Sequence, residues 1–313
     1  SDGTIVLNDN ITLTKALEVK GNNVIIDLNG KTITIQNGYN GYFDLFKGKL
    51  EFTGKGTIKD VRVKERVAAT IWVEGSNDKD FSVLTIGKDV TIDTTQWGLA
   101  VSHTDGKAYG LTVNFNGKIV SSAVNGGGIT VFGDVKNTGN GLTNAPVINL
   151  SNTASVKAVG DAALYAAGVG IWYIDGGTYE GLSTIGAKSG KFVINNGMFI
   201  ATGVPKTGEL YGNGIISTGS VIQIENNKGY AGNIEITVNG GTFKSEKGLS
   251  IYHYPPNNEE GETNTLKSLI INGGTFTSDV KMVKGDNVSV TNGTFSTKTL
   301  ESYIPNTYTM VKK

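Results

Sequence analysis

Short runs of alternating apolar and polar residues fill most of the chain, and nearly every run closes on a turn of Asn, Asp and Gly. Alternation with a period of two marks strands that bury one face, and the Gly and Asn clusters between them mark turns. The pattern therefore predicts many short strands and little helix. Only DAALYAAGVG (161–170) and VRVKERVAAT (61–70) have the composition for a turn or two of helix.

One unit recurs in the second half. IWYIDGGTY (171–179), KFVINNGMF (191–199), IEITVNGGTF (234–243), SLIINGGTF (268–276) and VSVTNGTF (288–295) each run from an apolar strand through a polar Gly turn to an aromatic residue. The apolar positions are Ile174, Ile194, Val238, Ile271 and Val290; the aromatics are Tyr179, Phe199, Phe243, Phe276 and Phe295. Successive aromatics are 20, 44, 33 and 19 residues apart. A unit of roughly 20 to 22 residues, its double, and one unit carrying an inserted loop account for these spacings. Looser copies lie upstream in IIDLNGKTITI (25–35), LEFTGKGTIKD (50–60), LTIGKDVTIDT (84–94) and LTVNFNGKIVS (111–121).

A sandwich has no reason to repeat one motif, and a propeller blade needs about 40 residues. A coil of parallel strands places equivalent residues above one another, which explains the recurring aromatic as an internal stack. The expected fold is all-β, a single right-handed parallel β-helix of roughly a dozen coils. Residues 1–313 form one domain in this reading, with N-terminal coils over 1–60, an inserted loop at 252–267 and a C-terminal cap over 296–313.

Composition narrows the chemistry. Lys plus Arg and Asp plus Glu balance at 28 each, and only Arg62 and Arg66 are arginines, so the basic face that nucleic acid requires is missing. The absence of Cys and the presence of two isolated His remove thiolate catalysis and the usual transition-metal clusters; no cofactor and no metal are expected. No apolar run reaches about 18 residues, and the opening SDGTIVLND has neither the basic nor the apolar part of a signal peptide, so membrane insertion is not expected.

The N-G-G-T-F turns, the opening NVIIDLNGKTITI and the ending NGTFSTKTLESYIPNTYTMVKK resemble right-handed parallel β-helix proteins of the pectate-lyase-like superfamily. They are similar in particular to exported surface proteins of gut Gram-positive bacteria and to spike-type β-helices of phages. The resemblance covers most of the chain and implies an elongated protein, exposed on a cell or virion surface, that meets carbohydrate. Its motifs specify turns and core stacking, not chemistry.

The enzymes of that superfamily supply two templates. Lyases set clustered carboxylates and calcium beside a basic residue, usually Arg; here VRVKER holds the only Arg, no Asp cluster flanks it at one-coil spacing, and the run reads as a solvated edge, with a Lys base left open. Hydrolases need two carboxylates about 5 to 9.5 Å apart. Asp89 and Asp93 share one segment, Asp78 and Asp80 lie in a loop, and Asp175 aligns with Asn195, Asn239 and Asn272 as a turn residue. The acidic run NNEEGE (257–262) lacks the alternation of a calcium loop.

Sugar faces stack on exposed rings while amides and carboxylates take the hydroxyls. Alternation turns Trp172 inward with Phe192, Ile236, Leu269 and Val288, and turns Tyr173 outward. The period is interrupted at GLSIYHYPPNNEEGETNTLK (248–267), where Tyr252, His253 and Tyr254 precede two prolines; inserted solenoid loops often build a binding face. Trp97, His103 and Tyr109 form a second cluster in TTQWGLAVSHTDGKAYG (94–110). Clear T-x-T ranks suited to ice occur mainly at Thr12–Thr14 and Thr32–Thr34, too few for an ice face, and sequons at Asn10, Asn149, Asn287 and Asn292 follow from an Asn- and Thr-rich composition.

The sequence reading is a non-catalytic, extracellular, surface-exposed module, an adhesin or a virion fibre or spike component, that binds a glycan or surface polysaccharide. Its candidate residues are Tyr252, His253, Tyr254, Trp97, His103, Tyr109 and Tyr173. The rival readings are a polysaccharide lyase or glycoside hydrolase whose carboxylates converge from different coils, and a purely structural spacer. A homotrimer remains open.

Overall fold

The structure is a computed structural model that describes residues 2–36, 42–63, 68–75, 81–101, 110–124, 126–132, 145–206, 217–225, 233–253 and 266–311. Its strands pair in parallel throughout, in a 19-stranded and an 11-stranded sheet. The register resolves the larger sheet into two ladders sharing two long strands, Leu17–Asp27 and Phe43–Thr53, each of which turns a corner. The corners are at Gly21, with φ 74°, and at Lys47 and Gly48, with φ 61° and 120°.

Each coil therefore has three sides. Sheet 1 runs from Gly3–Val6 to Val288–Val290, sheet 2 from Ile11–Leu13 to Thr294–Phe295, and sheet 3 from Leu17 in the first bent strand to Val280–Lys281. Sheet 2 counts the coils directly, because its 11 strands succeed one another one per turn. The all-β parallel architecture agrees with the sequence reading.

The aligned repeat positions stack as expected. On sheet 1, Ile174, Ile194, Val238, Ile271 and Val290 are successive partners pointing inward, with Leu150, Phe115, Ile86 and Phe52 continuing the column upstream. Trp172 is fully buried and lies parallel to Phe192, ring centres 5.7 Å apart. On sheet 2, the rings of Tyr179, Phe199, Phe243, Phe276 and Phe295 form one stack, with centre separations of 5.1, 4.9, 4.6 and 5.0 Å. These distances match the spacing of about 4.8 Å between paired strands, so one favourable offset contact is repeated at each turn.

The turn between sheets 1 and 2 stacks as well. Asn195 Nδ2 donates to Asp175 Oδ1 (2.7 Å), Asn239 to Asn195 (2.9 Å) and Asn272 to Asn239 (3.1 Å), so Asp175 is a turn residue as its alignment requires. The second glycine of each turn, as at Gly241 and Gly274 (φ 103° and 102°), occupies the left-handed region that favours glycine.

Two expectations are corrected. Neither helix candidate forms a helix among its described residues: Leu164–Ala166 and Ala69–Glu74 are strands, and the described helical structure is one 3₁₀ turn, Glu301–Tyr303. Arg62 is not on a solvated edge. The inward column of sheet 2 changes from Ile35 to Asp60, Thr94 and Ser121, and Arg62 is buried against it. Its guanidinium donates to Asp60 through Nε (2.9 Å) and Nη2 (2.6 Å) and to the Ala69 carbonyl (2.8 Å), while Thr70 Oγ1 donates to Asp60 (3.0 Å). This saturated pair is a polar plug in the core, with no free base for lyase chemistry. Arg66 lies outside the described residues.

Candidate functional site

The outward faces of the three sheets differ. On sheet 1 the column through Glu51, Thr85, Asn114, Asn149, Tyr173 and Val193 is half-buried or exposed throughout, as is the column through Lys59, Asp93, Val120, Lys157 and Glu180 on sheet 2. Sheet 3 departs from that rule. Its outward column reads Glu18, Asp44, Trp72, Ala100, Thr130, Tyr165, Gly186, Gln223, Tyr252, Lys281, one residue per coil, and Asp44, Ala100, Thr130, Tyr165 and Gln223 are buried.

The middle of this face is aromatic. Trp72 stacks on Phe132 with ring centres 5.5 Å apart, and Trp97 on Tyr165 at 6.0 Å. Together with Ala69, Ala100, Ala162 and Ala167 these rings form a second apolar cluster, separate from the core inside the coil. Trp97 and Tyr165 are buried in this cluster, and Trp72 and Phe132 are its partly exposed rings.

A charged relay continues from the rings across the next coils. Lys188 Nζ sits 5.5 Å from the Tyr165 ring centre and 3.0 Å from Glu225 Oε2, and both charged side chains are buried. Gln223 Nε2 donates to Glu225 Oε1, and Gln223 Oε1 accepts from Ser183 Oγ (2.7 Å) and from Thr218 N (3.1 Å) and Oγ1 (2.8 Å). Burial pushes the Glu225 carboxyl up against the opposing pull of Lys188. Burial also raises Asp161 to about 6, with Glu225 adding to the rise and the Ala162 N–H opposing it.

At the opposite end lie carboxylates without such support. Burial pushes both Asp44 and Glu74 up, Glu18 adding to the first and Asp44 to the second. Asp44 Oδ1 is buried with no hydrogen-bond partner among the described residues. Tyr42 stands close enough for its phenol to be raised by burial and by the charges of Asp44, Glu74 and Glu18.

The residues singled out by sequence separate on this face. Tyr252 is half-buried in the outward column of sheet 3, with Lys281 Nζ 5.1 Å from its ring centre. His253, its neighbour, points into the coil: its Nδ1 is 2.7 Å from Asp286 Oδ2 and both side chains are sealed from solvent, so it is a core residue and not a sugar contact. Trp97 is 3% exposed and packs on Tyr165, which leaves no ring face for a sugar and corrects its reading as a platform. Tyr173 is exposed as expected, on sheet 1, a different side of the coil. Tyr254, His103 and Tyr109, like NNEEGE, Asp78 and Asp80, lie outside the described residues.

Sequence reasoning missed Asp44, Trp72, Glu74, Tyr165, Lys188, Gln223 and Glu225. For Trp72, Glu74 and Tyr165 the signal is the loss of alternation in Ala69–Glu74 and Leu164–Ala166, where consecutive residues are buried. The described residues include no group of three or more His, Cys, Asp or Glu able to hold a metal ion and no helix long and apolar enough to cross a membrane. No family model, curated protein or solved structure matches the chain.

Proposed function

We propose that the protein is a non-catalytic binding module, carried on an extracellular surface, whose outer sheet 3 holds an extended glycan along the coil axis. The observation that carries this reading is the outward column of sheet 3: it combines half-buried rings at Trp72 and Tyr252 with the carboxylate of Glu18 and the ammonium of Lys281, whereas the columns of sheets 1 and 2 are ordinary solvated faces. A polymer laid along the axis would meet the exposed and half-buried members of this column, Glu18, Trp72, Tyr252 and Lys281. Rings stack on the apolar faces of sugars, and the polar groups between them take hydroxyls. Glycan-array retention followed by titration of Trp72→Ala and Tyr252→Ala tests it; the reading expects retention by the wild-type protein and at least about tenfold weaker binding for Trp72→Ala, or 1.4 kcal/mol.

One observation favours a second reading. Asp44 and Glu74 come from adjacent coils, offset by two residues in register and on the same face, with both carboxyls raised. Their backbones are therefore about 8 Å apart, a scale suited to two carboxylates flanking a glycosidic bond. Release of reducing ends from a polysaccharide, abolished in Glu74→Gln, would establish hydrolysis in place of binding.

A further inference from the structure

The buried carboxylates invite comparison. Asp60 is held by Arg62 and Thr70, Glu225 by Lys188 and Gln223, and Asp286 by His253. Asp44 is nearly as enclosed, with 9% of its surface exposed, yet Oδ1 has no partner among the described residues. Burying a charge without a partner is expensive, and a fold that satisfies its other buried acids has had the means to satisfy this one. Among the described residues Thr130, Trp172, Thr184, Ser220 and His253 also have a buried atom without a partner, but Asp44 is the one acid among them and it faces outward, where a ligand can complete the pairing.

The surroundings say what that ligand would be. In the outward column, Asp44 lies between Glu18 and Trp72; the neighbouring column carries Lys20, Phe46 and Glu74. Glu18 and Lys20 are exposed, while Tyr42, Phe46, Trp72 and Glu74 are half-buried, so Asp44 is the floor of a recess with aromatic and acidic walls. Lys20, the cation acting on these acids, is held by Glu18 at 2.7 Å. Among the described residues no ion pair to Asp44 or Glu74 occurs.

A bare metal ion is a poor match. Calcium takes about six to eight oxygen ligands, more than Asp44 and Glu74 supply, and no metal-holding group occurs among the described residues. A primary ammonium matches better, since it brings three donors to acceptor-only carboxylates and is attracted to ring faces. The rings beside it suit an apolar frame bearing that ammonium.

We propose that this recess binds the protonated amine of an amino sugar, Asp44 and Glu74 accepting from the ammonium and Trp72 lying against the sugar ring. The inference rests on reading outer sheet 3 as a glycan-binding face, and narrows that face to glycans with a free amine. A polyamine carries the same ammonium, so the test must separate the two sources.

Calorimetric titration of the full chain with a fully deacetylated glucosamine tetramer, its N-acetylated counterpart and 1,6-diaminohexane provides that separation. The wild-type protein is expected to bind the deacetylated tetramer at least tenfold more tightly than the acetylated one. Asp44→Asn should lose this preference, and Asp175→Asn, which removes an acid from the turn ladder, should keep it. If both tetramers bind wild type and Asp44→Asn equally, the ammonium site is overturned and the glycan reading survives. If the diamine binds and neither tetramer does, the amino-sugar assignment and the glycan reading fall together. If nothing binds, both are again overturned. Thermal unfolding reports whether Asp44→Asn folds; should it not, Glu74→Gln carries the test, with a several-fold loss expected and unchanged preference overturning the site.

Discussion

The inside of the coil and the outside of its third sheet share one period and follow opposite rules. Inside, like stacks on like: Tyr179, Phe199, Phe243, Phe276 and Phe295 occupy one column because each new turn gains most by repeating the contact below it. Outside sheet 3, Glu18, Asp44, Trp72, Ala100, Thr130, Tyr165, Gly186, Gln223, Tyr252 and Lys281 repeat almost nothing. Repetition in a solenoid reports architecture. A column that is buried and does not repeat is set by something other than stacking, and that contrast is the reason for locating the binding face there.

The largest expected effect breaks the repeating side. Phe243→Ala removes a ring stacked on Phe199 and Phe276 and should lower stability by about 3–5 kcal/mol, read as a fall in the denaturant midpoint. Because Phe243 faces the coil interior, glycan binding by the folded fraction should not change. Lys188→Met strikes the non-repeating side by leaving Glu225 buried and unpaired, at a cost of about 3 kcal/mol. Adding Glu225→Gln should recover most of that loss, because the uncompensated charge is then gone.

Protonation separates the two regions next. Asp161, raised to about 6 in the turn that leads into sheet 3, and Asp44, Glu74 and Glu225, also raised, on or next to the outer strands of sheet 3, lie on the non-repeating side. A carboxyl with a folded-state pKa above its unfolded value takes up its proton first in the folded chain, so folding gains stability as pH falls through the folded pKa toward the unfolded one. Asp279, held below its ordinary value by Thr297, Thr299 and the Val280 N–H, loses its contribution only at lower pH. The protein should therefore be more stable at pH 5 than at pH 7, by about 1–3 kcal/mol, and Asp161→Asn should reduce the difference in parallel melts. The smallest effect belongs to a solvated face: Thr242→Ala, on the outside of sheet 2, should stay within about 0.5 kcal/mol of wild type.

How much was legible follows from the same contrast. Ile174 through Val290 and the aromatic stack could be aligned because the turn motif recurs and the core repeats its contacts. The signal fades upstream, where Ile33, Ile58, Ile92 and Ile119 replace the rings in the same column. Sheet 3 left little trace, since strands such as Ile129–Val131 and Ile222–Ile224 have three residues and are not followed by the Gly-Gly turn. Glu18, Asp44 and Glu74 are 26 and 30 residues apart in sequence and become neighbours only when the coil closes. Arg62 was misplaced for a related reason: a charge run looks solvated until Asp60 and Thr70 are found on either side of it inside the core. Tyr252 lies on the proposed face, the outer side of sheet 3, while Trp97 and His253 are buried.

The central claim is that outer sheet 3 is the binding face, and the most direct measurement compares wild type, Trp72→Ala and Tyr173→Ala on one glycan array. Tyr173 provides the control because it is an exposed ring on sheet 1. The account predicts selective retention of the wild-type protein, loss of that retention in Trp72→Ala and no change in Tyr173→Ala. Retention that survives Trp72→Ala and disappears with Tyr173→Ala would place the binding face on sheet 1 and contradict the account.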